Sequence, residues 1–243
     1  MTNDGDCWAV FSAIRSGDVD ALTELLFAHP ELATSRLGGI RRTPLHVVTD
    51  WPGYFPNGPR ITRLLIDAGA AIDDGGEDGT GETPLHWAAS SDDADVAAVL
   101  IDAGADIEAP TGSIGTPLAN AVGYGCWNVA RLLVARRAKV ELLWVAAALG
   151  MTDRVIELLD DPDADHDAIN QAFWHACAGG QRRVGELLLN HGADLTYTPD
   201  YGRGSVLDVA RKHGTQQTNL IEWLEHLGVR PAEGNGADET PSS

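Results

Sequence analysis

Basic residues are scarce in this sequence of 243 residues. Lysine and arginine together number 17 against 36 aspartates and glutamates, so the formal net charge is −19. Nucleic acids and anionic membrane surfaces are bound through clustered lysine and arginine, so this balance argues against both as partners. The acidic field would attract a basic protein partner, although the same charge also serves simply to keep a protein soluble.

Cysteines and long apolar segments are scarce as well. The three cysteines, Cys7, Cys126 and Cys177, stand far apart, and their spacing suggests neither a disulfide framework nor a zinc site. The longest apolar stretch, 142–151, is too short to span a bilayer, and the acidic residues among the first six are unlike the start of a signal peptide. We therefore expect a soluble protein of the reducing cytoplasm, with no metal or other cofactor.

The motifs that accompany common catalytic chemistries are missing too. The sequence contains no G-x-S-x-G, H-E-x-x-H, P-loop or G-x-G-x-x-G. Alternate aspartates from Asp161 to Asp167 imitate the start of a calcium loop, but His166 stands where such a loop requires glycine, and Ala172 where it requires glutamate. We interpret this run as a solvated connection in which Asp167 caps the next helix. We predict no catalytic residue and expect the protein not to be an enzyme.

What the sequence does contain is an internal repeat. The tetrapeptide Thr-Pro-Leu-His begins at Thr43 and again at Thr83, and Thr-Pro-Leu-Ala begins at Thr116. The last two copies start 33 residues apart and the first two 40 apart, because the segment 51–59 interrupts the first unit. Threonine suits the N-cap of a helix and proline suits its first position. Each copy therefore predicts the start of a helix.

A second helix follows each tetrapeptide. Its apolar residues recur with i, i+3, i+4 spacing, as in Val96, Val99 and Leu100, which predicts one narrow buried face. Gly-Ala-Asp often ends the pattern, as at 104–106 and 192–194, and glycine favours the left-handed conformation that terminates a helix. A single pair of short helices cannot bury its own apolar face, so the units must stack.

The tetrapeptide, the apolar helix and Gly-Ala-Asp at a period of 33 residues together resemble the ankyrin repeat. The resemblance covers residues 7–228 and implies an all-α ankyrin-repeat solenoid of about seven stacked helix–turn–helix units, degenerate at the ends and in the C-terminal half. The predicted units are 7–42, 43–82, 83–115, 116–140, 141–170, 171–204 and 205–228. Residues 1–6 are predicted to be an N-terminal tail and residues 229–243 a disordered C-terminal tail.

The resemblance also assigns a structural role to the histidine of the tetrapeptide. In the family this histidine bonds the threonine and nearby backbone, tying adjacent repeats, which implies the same for His46 and His86. Trp144 and Trp174 stand in or next to the histidine slot of degenerate repeats, where we expect apolar packing to replace the tie. We expect these two and Trp87 to lie mostly in the core between repeats.

The function that the resemblance implies is non-enzymatic binding of a protein partner. Ankyrin proteins usually contact partners through the turn tips and the concave face of the first helices. The aromatic loop 51–59 is a further predicted contact, because aromatics are favoured at interaction hot spots, unless the loop folds back over its own repeat. The predicted contact residues are Arg42, Asp50, Trp51, Tyr54, Phe55, Glu82, Ser90, Ser91, Tyr124, Leu149, Tyr201, Arg203, Lys212 and His213.

Two alternatives stay open at this point. The chain could associate with itself, although we expect a monomer, and a symmetric contact through the 51–59 loop would support that. It could instead be an enzyme that uses the concave groove as a pocket. A cluster of carboxylates and histidines with shifted pKa values would support the enzyme.

Overall fold

The computed structural model describes residues 4–37, 42–76, 81–161, 164–202, 204–212 and 217–232. The regular elements within these ranges are fourteen α-helices and one short 3-10 helix. The only β-type pairing there is an isolated bridge between Leu37 and Arg42. The predicted all-α class is therefore confirmed. Among the described residues, no helix combines the length and apolar character that crossing a membrane requires.

Backbone contacts divide the chain into two compact units, residues 1–139 and 140–243. The described residues of the first unit form four helix pairs. Its first helices pack in succession, α1 on α3, α3 on α5 and α5 on α7, and so do its second helices, α2 on α4, α4 on α6 and α6 on α8. The helices are α1 (Asp4–Ser16), α2 (Val19–Ala28), α3 (Pro44–Thr49), α4 (Gly58–Asp67), α5 (Pro84–Ser90), α6 (Ala94–Asp102), α7 (Pro117–Gly123) and α8 (Trp127–Ala135), with the 3-10 helix at Pro30–Thr34. Helix α1 begins three residues before the predicted start of the first repeat.

Three further helix pairs occur in the described part of the second unit. Helix α11 packs on α9 and on α13, and the fully buried Phe173 belongs to a core cluster with Leu188, Leu220 and Leu224. The helices are α9 (Leu143–Ala148), α10 (Thr152–Leu159), α11 (His166–Ala178), α12 (Arg182–Asn190), α13 (Val206–Lys212) and α14 (Thr218–His226).

The chain after α14 keeps hydrogen bonds to this unit. The Val229 N–H donates to the Leu224 carbonyl at 3.1 Å, and the Ala232 N–H donates to the Asp208 carboxylate at 2.7 Å. The predicted disordered tail thus begins with four residues of described structure, and its remainder, 233–243, lies outside the described residues.

The repeated tetrapeptide performs the capping predicted for it. Thr43 Oγ1 accepts the His46 N–H at 3.4 Å, and Thr116 Oγ1 accepts the Ala119 N–H at 3.3 Å. The histidine ties are confirmed as well. His46 Nε2 lies 2.9 Å from the Glu82 carbonyl oxygen, and His86 Nε2 lies 3.0 Å from the carbonyl oxygen of Gly115. Each histidine therefore joins its own helix start to the loop that leads into the following repeat.

The start of α11 corrects the prediction for the aspartate run. The N-cap is Asp165, whose extended backbone (φ −72°, ψ 177°) lets its side chain accept the Ala168 N–H at 2.8 Å. Asp167, which we expected to cap, lies inside the first turn of the helix and cannot reach those amides in the same way. The helix also begins five residues before the predicted start of this repeat at 171.

Replacing Asp165 with alanine is expected to lower the free energy of unfolding by about 1 kcal/mol, because one of the first amides of α11 loses its acceptor. Asp167→Ala is the matched control, since it removes the same charge from the same turn without removing the cap. Urea unfolding followed by circular dichroism measures both. If the two variants lose equal stability, the assignment of the cap is wrong.

Candidate functional site

A shallow groove crosses the ends of three successive first helices in the first unit. It has a volume of about 170 Å³, well below the roughly 300 Å³ at which small-molecule sites begin. The stacked repeats bring the last residues and C-caps of α3, α5 and α7 side by side. Six of the predicted contact residues meet here. The lining residues are Thr49, Asp50, Trp51, Glu82, Trp87, Ser90, Ser91 and Tyr124.

Two arginines contact Asp50, one of the residues that line this groove. Asp50 Oδ2 is 3.3 Å from the guanidinium of Arg42 and 3.6 Å from that of Arg15. The Arg42 guanidinium lies 4.1 Å from the centre of the Trp87 ring, close enough for a cation–π contact. Arg42 was predicted as a contact residue, whereas Trp87 was expected in the core. The structure leaves Trp87 half-buried, with the Arg42 guanidinium over one face of the ring and the His46 ring of α3 packed edge-on at 5.2 Å between centroids.

A rigidly held carboxylate also lines the groove. Glu82 Oε1 accepts the Ser113 N–H at 3.0 Å, the Ser113 hydroxyl at 2.8 Å and the Asn120 amide Nδ2 at 2.9 Å. Burial acts to raise the pKa of Glu82, but the hydrogen bonds from Asn120 and Ser113 outweigh it, so the pKa is lowered overall. Glu82 is therefore ionised at neutral pH and fixed in direction.

Two further acids lie directly beyond Ser91. The Asp92 carboxylate accepts the Asn128 N–H at 2.9 Å, the Asn128 side-chain amide at 2.8 Å and the Val129 N–H at 3.0 Å. The Asp93 carboxylate accepts the Tyr54 N–H at 2.6 Å and an amide of α6 at 3.1 Å. All of these donors are neutral, so they hold the carboxylates in place without cancelling their charge.

The inserted loop bridges the turns of both neighbouring repeats. The Tyr54 hydroxyl donates to the Asp92 carbonyl at 2.7 Å, and Asn57 Nδ2 donates to the Gly17 carbonyl at 2.9 Å. Gly17 has φ +74°, and a Cβ there would lie 2.4 Å from the carbonyl oxygen of Pro56, so only glycine permits this approach. The loop thus covers its neighbours, and it still leaves Trp51 76% exposed.

Helix α1 contributes a set of side chains that the sequence did not identify. Trp8 is 69% exposed and its ring stacks on Phe11 with the centroids 5.2 Å apart. The Arg15 guanidinium lies 5.9 Å from the centre of the Phe11 ring and 4.2 Å from that of Phe55. The i, i+3, i+7 spacing on α1 was the available signal. Because this first unit lacks the tetrapeptide, the repeat pattern did not point to these positions.

These contacts join into one surface, which we call the aromatic strip. It runs from α1 across the inserted loop to the groove and consists of Trp8, Phe11, Arg15, Arg42, Asp50, Trp51, Phe55, Glu82, Trp87 and Tyr124. Tryptophan, tyrosine and arginine are the residue types most enriched at interaction hot spots.

Five of the predicted contact residues belong to the second unit. Leu149 is a half-buried C-cap of α9, Lys212 is the exposed last residue of α13, and Tyr201 is 61% exposed. Arg203 and His213 lie outside the described residues.

Tyr201 takes part in a polar tie that replaces the one we expected to be lost. Its hydroxyl accepts from Gln171 Nε2 at 2.6 Å and lies 3.0 Å from His175 Nε2. The ring of His175 lies 4.5 Å from that of Trp144 and 5.0 Å from that of Trp174, centroid to centroid. Trp174 is buried as predicted, and Trp144 is half-buried. Apolar packing and a histidine bond thus act together, with the histidine one residue after the predicted slot.

No group of three or more histidine, cysteine or acidic side chains able to hold a metal occurs among the described residues. Burial lowers the pKa of His86, and it lowers that of His175 to about 4, so both are neutral at pH 7. Burial raises the pKa of Cys126 to about 11, and it raises the pKa of Cys177 as well. Both thiols are therefore protonated and weakly nucleophilic at neutral pH.

Comparison with known proteins matches this arrangement to one family. A family model described as ankyrin repeats in three copies matches residues 10–111 and 57–142. The solved ankyrin repeat domain of Bcl-3, a member of the IkappaB family, is similar with 24% identity and a TM-score of 0.53, covering 89% of this chain and 97% of its own. The human ASB11 ankyrin repeat domain is similar with 22% identity and a TM-score of 0.51, covering 94% and 99%. At these identities the two structures support the fold alone.

Proposed function

This chain belongs to the ankyrin repeat family, whose fold is generally a protein–protein interaction module, and from that premise we propose that it is a non-enzymatic scaffold binding a protein partner through the aromatic strip. The observation that carries the proposal is the exposed run of aromatic and arginine side chains that ends in the groove. The predicted contacts Arg42, Asp50, Trp51, Glu82 and Tyr124 are members of the strip.

Exposed tryptophans support this proposal energetically. Trp8, Trp51 and Tyr124 keep more than half of their surface in water, and covering large aromatic surfaces is a main source of binding energy. Arg15 and Arg42 are already restrained by Asp50 and by the rings beneath them, so a partner would lose little side-chain entropy in ordering them. The strip is preorganised for binding in this sense.

We propose supporting roles for four of the predicted contact residues, Tyr54, Phe55, Ser90 and Ser91. Tyr54 holds the inserted loop against the next repeat, Ser91 joins that repeat to the end of α3 by donating to the Thr49 carbonyl, and the Phe55 ring stacks against the Arg15 guanidinium. The proposed secondary contacts in the second unit are Leu149, Tyr201, Arg203, Lys212 and His213. We further propose that the protein acts as a monomer in the cytoplasm, where its three cysteines remain reduced.

The test is a paired capture experiment with a matched control. Trp51→Ser/Tyr124→Ser removes two exposed aromatics from the strip, and Phe27→Ser/Ile156→Ser removes two exposed apolar side chains from the second helices α2 and α10. Proteins captured from extract of the native cells by the wild type are identified by mass spectrometry. The best candidate is then purified and its Kd is measured against all three chains.

The strip variant is expected to bind this partner at least about tenfold more weakly, the size of a modest hot-spot loss, while the control variant binds like the wild type. Circular dichroism verifies that both variants fold. Equal binding by all three chains would contradict the proposal. Gel filtration of the same samples reports self-association, which would appear as a dimer lost only in the strip variant.

A further inference from the structure

We propose that the groove of the aromatic strip receives a lysine or arginine side chain presented by the partner protein. This inference rests on the proposed function and adds the chemistry of the contact. The proposed occupant of the groove is a cationic side chain. The partner is therefore predicted to have an exposed basic segment.

The size and walls of the groove suit a single long side chain. Its volume of about 170 Å³ is too small for a cofactor or a helix of a partner. Trp51, Trp87 and Tyr124 supply aromatic walls, and the Ser90 hydroxyl and the Glu82 carboxylate stand among them. Aromatic faces attract cations, and the attraction grows when the site is shielded from water. An aliphatic stem with a charged end fills such a space with both apolar and polar contacts.

The charge around the groove is complementary to a cation. Asp50 and Glu82 line it, whereas Arg15 and Arg42, which both contact Asp50, are not among the lining residues. Asp92 and Asp93 follow Ser91 in the chain, and their carboxylates accept amides at the starts of α8 and α6. The described donors to Asp92 and Asp93 are neutral amides. The charged residues that line the groove are thus acidic, in keeping with the net charge of −19 of the whole chain.

The negative field contributes to raised pKa values at two neighbouring side chains. Burial raises the pKa of Tyr54, and the charges of Asp92, Asp93 and Asp95 act in the same direction. Burial also raises the pKa of Cys126, to about 11, and Asp92 again adds to the shift. A field that opposes deprotonation of a phenol and of a thiol favours binding of a cation.

Arg42 provides an internal precedent for this mode of binding. Its guanidinium lies 4.1 Å from the centre of the Trp87 ring and 3.3 Å from Asp50 Oδ2, combining an aromatic face with a carboxylate. The groove offers a second such combination, with the rings of Trp51 and Tyr124 near Glu82. The two arginines could instead attract an acidic partner. However, neither arginine is among the lining residues, whereas Asp50 and Glu82 are, so the lining itself favours the cationic occupant.

The probe for the test is the peptide acetyl-Gly-Arg-Gly-amide, with its lysine analogue, its uncharged citrulline analogue and its glutamate analogue. The full chain is labelled with ¹⁵N, and the indole N–H signals of its seven tryptophans are recorded during titration. Trp51→Phe and Trp87→Phe assign the two signals at the groove. Glu82→Gln and Tyr124→Ser alter the groove, and Glu24→Gln, on the exposed face of α2, removes one charge elsewhere.

We expect the arginine or lysine peptide to shift the Trp51 and Trp87 indole signals saturably, and the citrulline peptide to leave them unchanged. Glu82→Gln and Tyr124→Ser should each weaken binding by about fivefold, and Glu24→Gln should leave it unchanged. The inference is overturned by equal effects of the arginine and citrulline peptides, by stronger binding of the glutamate peptide, or by equal weakening in Glu24→Gln and Glu82→Gln. It is also overturned if neither indole signal shifts.

These outcomes separate the inference from the proposed function. If the cationic peptides fail while partner binding still depends on Trp51 and Tyr124, the chain binds a protein through an uncharged contact and only the inference falls. If partner binding does not depend on the strip at all, the proposed function falls, whichever peptide binds.

Discussion

Replacing His86 with alanine is expected to lower the free energy of unfolding by about 3 kcal/mol, because a buried hydrogen bond and a buried ring are lost together. His86 is fully buried, and its Nδ1 accepts the Thr83 N–H at 3.1 Å. Since that nitrogen accepts, Nε2 carries the proton and donates to the Gly115 carbonyl at 3.0 Å. In the variant, the Gly115 carbonyl would lose the His86 donor while remaining inside the stack of repeats.

The loop residue that packs against the His86 ring is a glycine, so it has no side chain that could fill the space left by the imidazole. Gly112 packs directly against the ring, where an added Cβ would lie 2.5 Å from the imidazole Cδ2. A cavity therefore remains in the variant, and residual cavities add to the cost of a truncation. Urea unfolding at pH 7, followed by circular dichroism, measures the effect.

His191→Ala is the matched control for this prediction. His191 is exposed, and its Nδ1 bonds only a carbonyl of its own helix, that of Leu187, at 2.8 Å. Its replacement should change stability by less than about 0.5 kcal/mol, as is usual for surface positions. Similar losses in the two variants would show that the histidine tie contributes little to the stacking of repeats.

Acidification from pH 6.5 towards pH 4 is expected to lower the free energy of unfolding by about 3 kcal/mol through His175 alone. This residue is 3% exposed, and burial lowers its pKa from the usual 6.5 to about 4. Between these two values the unfolded chain binds a proton at this position and the folded chain does not. The contribution is therefore fully present above pH 6.5 and is lost as the pH falls towards 4.

The measurement is the free energy of unfolding at several pH values, for the wild type and for His175→Phe. Phenylalanine keeps the ring among Trp144 and Trp174 but does not titrate. The variant loses the bond to Tyr201 at every pH, so its stability is lower overall and its slope between pH 6.5 and 4 is shallower. Burial lowers the pKa of His86 too, but that contribution is common to both chains and cancels in the comparison. Parallel pH curves for the two chains would refute the assignment.

Six of the predicted contact residues line one groove because they occupy equivalent places in successive repeats. Repeats that stack in register carry the same position of each unit to the same edge. The family pattern therefore placed Asp50, Ser91 and Tyr124, the C-caps of three first helices, at one groove. The misses arose where the pattern is absent. Trp8 lies in a repeat without the tetrapeptide, and Asp165 begins a helix that starts ahead of its expected place.

The sequence by itself determined the helical class and the repeat period. Their causes are short-range, since a threonine cap, a proline and a narrow apolar face act within a few residues, and the same unit recurs along the chain. The histidine ties, which span 36 and 29 residues, were implied by the resemblance to the ankyrin repeat. Only the tertiary structure decided which side chains form the aromatic strip. Arg42 reaches Trp87 and Tyr54 reaches Asp92 across 45 and 38 residues of chain. Such contacts depend on the rotamers and exact spacing of neighbouring repeats, and no periodicity in the sequence encodes them.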